Sequence, residues 1–107
     1  MTKIRFEWNE AKNRINRRKH RVSFETAIRA FADPFALSTQ ERIEDGELRW
    51  LTIGLVQGHQ ILVVAHTIRE KDHDGDEIEI IRIVSARKAD RSERRRYADE
   101  QRQSYSP

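Results

Sequence analysis

The sequence predicts a small α+β domain, with elements in the order β-α-α-β-β-β-β-α. Three observations predict it. Phe24, Ala27, Ile28 and Phe31 fall at i, i+3, i+4 and i+7, the spacing of one buried helical stripe. From Phe35 onward, β-branched and alternating runs are divided by short turns. Asp90 followed three residues later by Glu93 resembles a capping box and opens an arginine-dense C-terminal helix. A chain of 107 residues has room for one domain. That domain is expected over residues 1–103, with 104–107 as a frayed tail.

The elements follow in order. Lys3 to Trp8 alternates Ile4, Phe6 and Trp8 against Lys3, Arg5 and Glu7, as an edge strand would. Asn9 is an N-cap candidate for a first helix with Glu10 in its first turn and Arg17, Arg18, Lys19 and His20 at its end. That charge order suits the helix dipole. Its apolar face is thin, essentially Ala11 and Ile15. Ser23 caps a second helix, which Asp33-Pro34 ends, because the residue before proline avoids the helical region. The two helices form an αα-hairpin joined at Arg21-Val22.

Strands are expected over Phe35 to Ile43, Leu48 to Val56, Gln60 to Arg69 and Glu77 to Ala86, the later ones forming an antiparallel meander. The continuous apolar run Ile61 to Ala65 marks a central strand. Lys71 to Asp76 reads as a polar turn around Gly75. The C-terminal helix runs from Asp90 to about Gln103, with Tyr97 and Ala98 as nearly its only apolar anchors.

Composition excludes several classes. The absence of cysteine removes disulfide frameworks, thiolate nucleophiles and cysteine zinc sites. Charged residues interrupt the N-terminus too often for a signal peptide, and no apolar run approaches the ~20 residues of a membrane span. The expected location is therefore the cytoplasm, with no membrane partner. The net charge of +3 hides an uneven distribution, since basic ends flank an acidic middle. That pattern fits an anionic partner such as nucleic acid, or simply arginine-rich helix faces in water.

Catalytic motifs are few. The run Asp72-His73-Asp74-Gly75-Asp76 lacks the glycine and glutamate placement of a calcium loop, and no metal or cofactor is expected. No serine lies in a nucleophile-elbow context, and no glycine-rich phosphate loop is present. What remains is a basic surface with acid–base groups. Cleaving RNA without a metal requires removal of the 2′-hydroxyl proton, stabilisation of the crowded phosphorus and protonation of the leaving 5′-oxygen. His66 and His20 are the acid–base candidates, because imidazole titrates near neutrality. Arg82, Arg87 and Lys12 are candidates for phosphate contact, with Lys19 and Arg49 as supporting cations. Glu7 is an alternative base, or a group that orients Lys12. Trp8, Trp50 and Tyr97 are aromatic rings able to stack a base. The competing reading makes Trp8 and Trp50 core residues, His20 a helix cap and Arg82 a cross-strand ion pair.

A family resemblance narrows the choice. The run FEWNEAKNRINRRKHRVSFETAIRAFADP resembles the opening of the BrnT family, toxins of bacterial type II toxin–antitoxin systems. The matching elements are Phe6-Glu7-Trp8, Lys12, Asn16, Lys19-His20, Val22-Ser23-Phe24-Glu25, Ala27, Phe31 and Asp33-Pro34. Later blocks also fit: Arg49 with Leu51-Thr52-Ile53-Gly54-Leu55, then Leu62-Val63-Val64, His66-Thr67 and Arg69. Arg82-Ile83-Val84-Ser85-Ala86-Arg87-Lys88-Ala89 and Glu93 to Tyr97 complete the set. The resemblance implies a RelE-like fold, RNA cleavage that stops translation, and a BrnA-like ribbon-helix-helix antitoxin. Toxin and antitoxin would form a hetero-oligomer that touches operator DNA only through the antitoxin. Two features depart from the family pattern: Arg21 stands where glycine is usual, and Glu70 to Glu79 is long and acidic. The rival function is a non-catalytic basic module, or an inactive relative, acting with a partner on operator DNA.

Overall fold

The computed structural model describes residues 3–105. Five strands form one sheet in the order β1-β5-β4-β3-β2: β1 (Lys3–Glu7), β2 (Leu37–Glu44), β3 (Glu47–Val56), β4 (Gln60–His73) and β5 (Asp76–Lys88). The three later strands make the expected antiparallel meander, and β2 joins it as a fourth strand. β1 pairs with β5 in parallel, because the helical hairpin carries the chain back across the sheet. The sheet is therefore mixed.

Helices lie on both faces. On one face sit α1 (Glu10–His20), α2 (Phe24–Ala27) and a 3-10 helix (Ile28–Ala32). There Phe24, Ala27 and Ala30 meet Leu62, Val64, Ile81, Ile83 and Ala86. On the other face α3 (Arg91–Tyr105) lays Tyr97 over Ile53 and Val63. α3 extends past the expected end at Gln103, so residues 104 and 105 are helical, while 106–107 lie outside the described residues. The predicted second helix is a single turn of α-helix that tightens into the 3-10 helix. Its apolar stripe survives the change, with Ile28 and Phe31 still packed on the core.

α1 docks in an unexpected way. Ala11 and Ile15 face solvent, and the residues buried beneath the helix are Asn13 and Asn16. Asn16 donates from Nδ2 to the carbonyls of Val22 and Ala86 and accepts from the Ala86 amide. Asn13 accepts from the Phe24 amide and donates to Glu10 and Glu25. Two amides thus replace the apolar stripe, supplying partners to backbone groups that burial would otherwise orphan. The helix ends at Arg21, whose φ of 62° is the left-handed conformation that glycine adopts most easily.

Two contacts fix the remaining pieces. Gly54 lies under the 3-10 helix, where an added Cβ would sit 2.5 Å from the Ala30 carbonyl oxygen. Only glycine permits that approach. Asp33 accepts from the amides of Phe35 and Leu55 and from the Tyr97 hydroxyl, tying α3 to β3 through one carboxylate. The polar stretch from Lys71 to Asp76 proves to be strand almost throughout. The ladder runs to His73↔Asp76, closed by Asp74 and Gly75, both at positive φ as a two-residue hairpin turn requires.

Candidate functional site

α3 covers only part of its face. Beyond it, the register places Glu7, Arg82 and Thr67 side by side on β1, β5 and β4, since partners across a ladder share a face. Arg49 lies one residue past the last β3–β4 ladder pair, Trp50↔His66, and is itself opposite Arg42. The result is a transverse row, Glu7–Arg82–Thr67–Arg49–Arg42, with strands spaced about 4.8 Å apart. Arg69 reaches back to Glu7 at 3.2 Å. Arg5 and Lys3 occupy alternate positions on β1 and continue the basic surface. Ile78 and Ile80 lie on the same face and are buried, although they belong to neither main cluster.

At the end of β1 a cleft of about 270 Å³ is lined by Glu7, Trp8, Asn9 and Arg82. Trp8 is half-buried, edge-on to Phe24, and donates its indole N–H to Glu10. Asn9 caps α1 by accepting the Lys12 amide, which puts Lys12 in the first turn of the helix. The cleft therefore offers a carboxylate, a guanidinium and a partly exposed ring. Arg49 is 16% exposed on its side chain and its buried Nε has no hydrogen-bond partner, the nearest carboxylate oxygen being that of Glu44 at 3.9 Å.

The structure separates other sequence candidates from this site. His66 is 1% exposed, lies edge-on to Phe31 and shares a hydrogen bond with Thr52, which is bonded in turn to Ser38. Burial pushes its imidazole down from 6.5 to about 4, so it is neutral near pH 7 and has no path to a substrate. His20, half-buried at the last turn of α1, stands eight residues from Lys12, or about 12 Å along the helix. Lys19 is exposed in the same turn. Arg87 grips Glu93 with two hydrogen bonds of 2.7 and 2.9 Å, while Glu93 and Asp90 cap α3 reciprocally. That pairing raises the Arg87 pKa and lowers that of Glu93. Tyr97 is buried, and its hydroxyl pKa is raised by that burial and by the bond to Asp33. Arg87 and Tyr97 therefore hold α3 in place.

Arg69 and Arg5, which sequence alone does not single out, also lie on this face. For Arg5 the signal is the alternation of Lys3, Arg5 and Glu7 against Ile4, Phe6 and Trp8. α1 adds a further basic surface, where Arg14, Arg17, Arg18 and Arg21 line one open groove. Among the described residues, no three His, Asp or Glu side chains gather as metal ligands, and no helix is long and apolar enough to cross a membrane.

Fold and site together define a small α+β domain whose half-open sheet sets a row of arginines beside Glu7 and Glu44. Over residues 8–93 the sequence matches the family described as the ribonuclease toxin, BrnT, of type II toxin–antitoxin systems, and the chain belongs to that family. The fold is similar to the crystal structure of the Brucella abortus ribonuclease toxin, BrnT. The TM-score is 0.56 at 22% identity, over 85% of this chain and 99% of that one. No curated protein sequence matches the chain.

Proposed function

We propose that this chain is an endoribonuclease toxin that cleaves RNA without a metal ion at the Glu7–Arg82 cleft. The juxtaposition of Glu7, Arg82, Trp8 and Arg69 at the open end of the sheet carries this reading, with family membership behind it. Glu7 accepts the 2′-hydroxyl proton, and the 2′-oxygen attacks the adjacent phosphorus. Arg82 and Arg49 hold the non-bridging oxygens as charge gathers there. The P–O5′ bond breaks, and Lys12 gives a proton to the departing 5′-oxygen. The products are a 2′,3′-cyclic phosphate and a 5′-hydroxyl. Solvent then exchanges the proton gained by Glu7 for the one lost by Lys12. Trp8 offers its exposed edge to a base. Lys19, His20 and the arginines of α1 follow the backbone of the strand away from the cleft. His66, Arg87 and Tyr97 serve the fold that carries these groups.

On this reading the domain is a RelE-like toxin that acts in the cytoplasm and stops translation by destroying RNA. A ribbon-helix-helix antitoxin neutralises it in a hetero-oligomer, through which alone it meets operator DNA. The test is purified protein incubated with total RNA, wild type beside Arg82→Ala, with and without EDTA. Fragments ending in cyclic phosphate, unaffected by EDTA and lost in the folded variant, are expected. Intact RNA with folded wild-type protein would overturn the reading and favour a non-catalytic module. Loss of cleavage in EDTA would remove its metal independence.

A further inference from the structure

The uncovered half of the sheet has a second face, opposite the arginines and beyond the reach of α1 and α2. Ile4, Ile43 and Leu48 stand exposed there, beside half-buried Trp50 and Ile68. The register fixes the shared face: Ile43 pairs with Leu48, Trp50 with His66, and Ile68 with Ile81. Of the four large hydrophobics that are exposed among the described residues, only Ile15 lies elsewhere. No segment among the described residues covers this row.

Next to it, the same face carries carboxylates in opposed pairs. Glu70 is directly across from Glu79, and Asp72 from Glu77. The strand positions on this uncovered face hold no lysine or arginine. Like charges directly opposite one another weaken a strand pair, and here two such pairs follow in succession. Along β4 and β5 alternation has therefore sorted the residues, with Arg69, Lys71 and Arg82 on one face and the four carboxylates on the other. An exposed apolar row rimmed by one sign of charge has the make-up of a protein-docking surface.

We infer that this face docks the antitoxin, through an amphipathic segment whose apolar anchors are flanked by lysine or arginine. The inference rests on the toxin–antitoxin reading, which implies such a partner. Charge selects the occupant. An RNA strand is repelled by these carboxylates, whereas a basic segment relieves the opposed pairs and buries Ile43 and Leu48. Only β1, five residues long and at the sheet edge, separates this face from the cleft, with Ile4 on one side and Glu7 on the other. A segment seated here therefore starts next to the catalytic groups.

The experiment is calorimetric titration of the full-length toxin with the antitoxin encoded beside it, run separately from RNA cleavage. Two double variants are compared with wild type: Glu77→Lys/Glu79→Lys and Ile43→Ser/Leu48→Ser. The lysine pair turns both like-charge pairs into opposite-charge pairs, so its melting temperature should equal or exceed that of wild type. Each double variant is expected to weaken antitoxin binding at least about tenfold, or 1.4 kcal/mol, while antitoxin-free cleavage stays at the wild-type rate. Unchanged affinity in both would overturn the inference. So would loss of affinity only in Arg69→Ala or Arg82→Ala, which would place the antitoxin on the basic face. α1 exposes Ile15 among arginines, making a second copy of this chain the rival occupant. A toxin dimer that the lysine pair disperses without changing antitoxin affinity would assign the face to that copy and overturn the proposal. Tight antitoxin binding by a wild type that cuts no RNA would defeat the nuclease reading and leave the docking surface standing.

Discussion

β4 and β5 run side by side through two different environments, and the contrast explains much of the molecule. At one end Leu62, Val63 and Val64 lie against Ala86 and Arg87 with helices on both faces, and the strand reads as an unbroken apolar run. At the other end, from Arg69 to Ile80, no helix among the described residues covers either face, and Arg69 and Lys71 point one way while Glu70, Asp72, Glu77 and Glu79 point the other. The covered end makes the fold stable. The open end is free to carry opposed charges that a core would forbid, and its two faces can meet two different partners. Substitutions at the covered end should therefore be felt as stability, and those at the open end as function.

The largest expected effect is at Gly54. Gly54→Ala places a Cβ against the Ala30 carbonyl, where backbone must move, and should cost about 3 kcal/mol or more. Thermal denaturation reads this directly, and a melting temperature within a degree or two of wild type would show that the 3-10 helix can shift freely.

His66 gives a pH test at the same end. Folded His66 titrates near 4 and an unfolded imidazole near 6.5, so between those values the unfolded chain holds more protons. Stability should fall as pH drops from about 6.5 to about 4, by up to about 3 kcal/mol, and change little from this source below that. Urea titrations across this range should show the loss, and His66→Gln should flatten that part of the profile. Asn16→Ala removes three hydrogen bonds to buried backbone and should cost about 2 kcal/mol by the same assay.

Smaller effects sharpen the contrast. Arg21→Gly relieves a left-handed residue at the end of α1 and should stabilise by about 1 kcal/mol, read as a rise in melting temperature. Arg69→Ala, at the open end, should change stability by no more than about 0.5 kcal/mol. Cleavage by the same variant should fall at least tenfold, because Glu7 loses the partner that orients it. A variant that unfolds would instead assign Arg69 to the fold.

The order of elements, the caps at Asn9, Ser23 and Asp90, and the meander were legible in the sequence because each rests on a local signal. The parallel pairing of β1 was not, since nothing in five residues says which strand they will join. The docking of α1 was hidden for a different reason. Apolar periodicity cannot see a helix held by Asn13 and Asn16, and it pointed to Ala11 and Ile15, which face water. Of the candidates named from sequence, Trp8 and Arg82 line one cleft with Glu7, and Lys12 lies in the first turn of the helix that follows. His66 lies in an apolar central strand, a signal of burial that competes with the catalytic chemistry of an imidazole. The face-by-face sorting of Arg69 and Glu70 needed the register, which emerges only when the strands pair.

The central claim is that Glu7 is the base of an RNA-cleaving site at the open end of the sheet. Its most direct test is the single-turnover cleavage rate of Glu7→Gln beside wild type and His66→Gln, all confirmed folded. Glu7→Gln should be slower by at least about a hundredfold, and His66→Gln should cleave at close to the wild-type rate. Full activity in Glu7→Gln, with loss of cleavage in a folded His66→Gln, would contradict the claim.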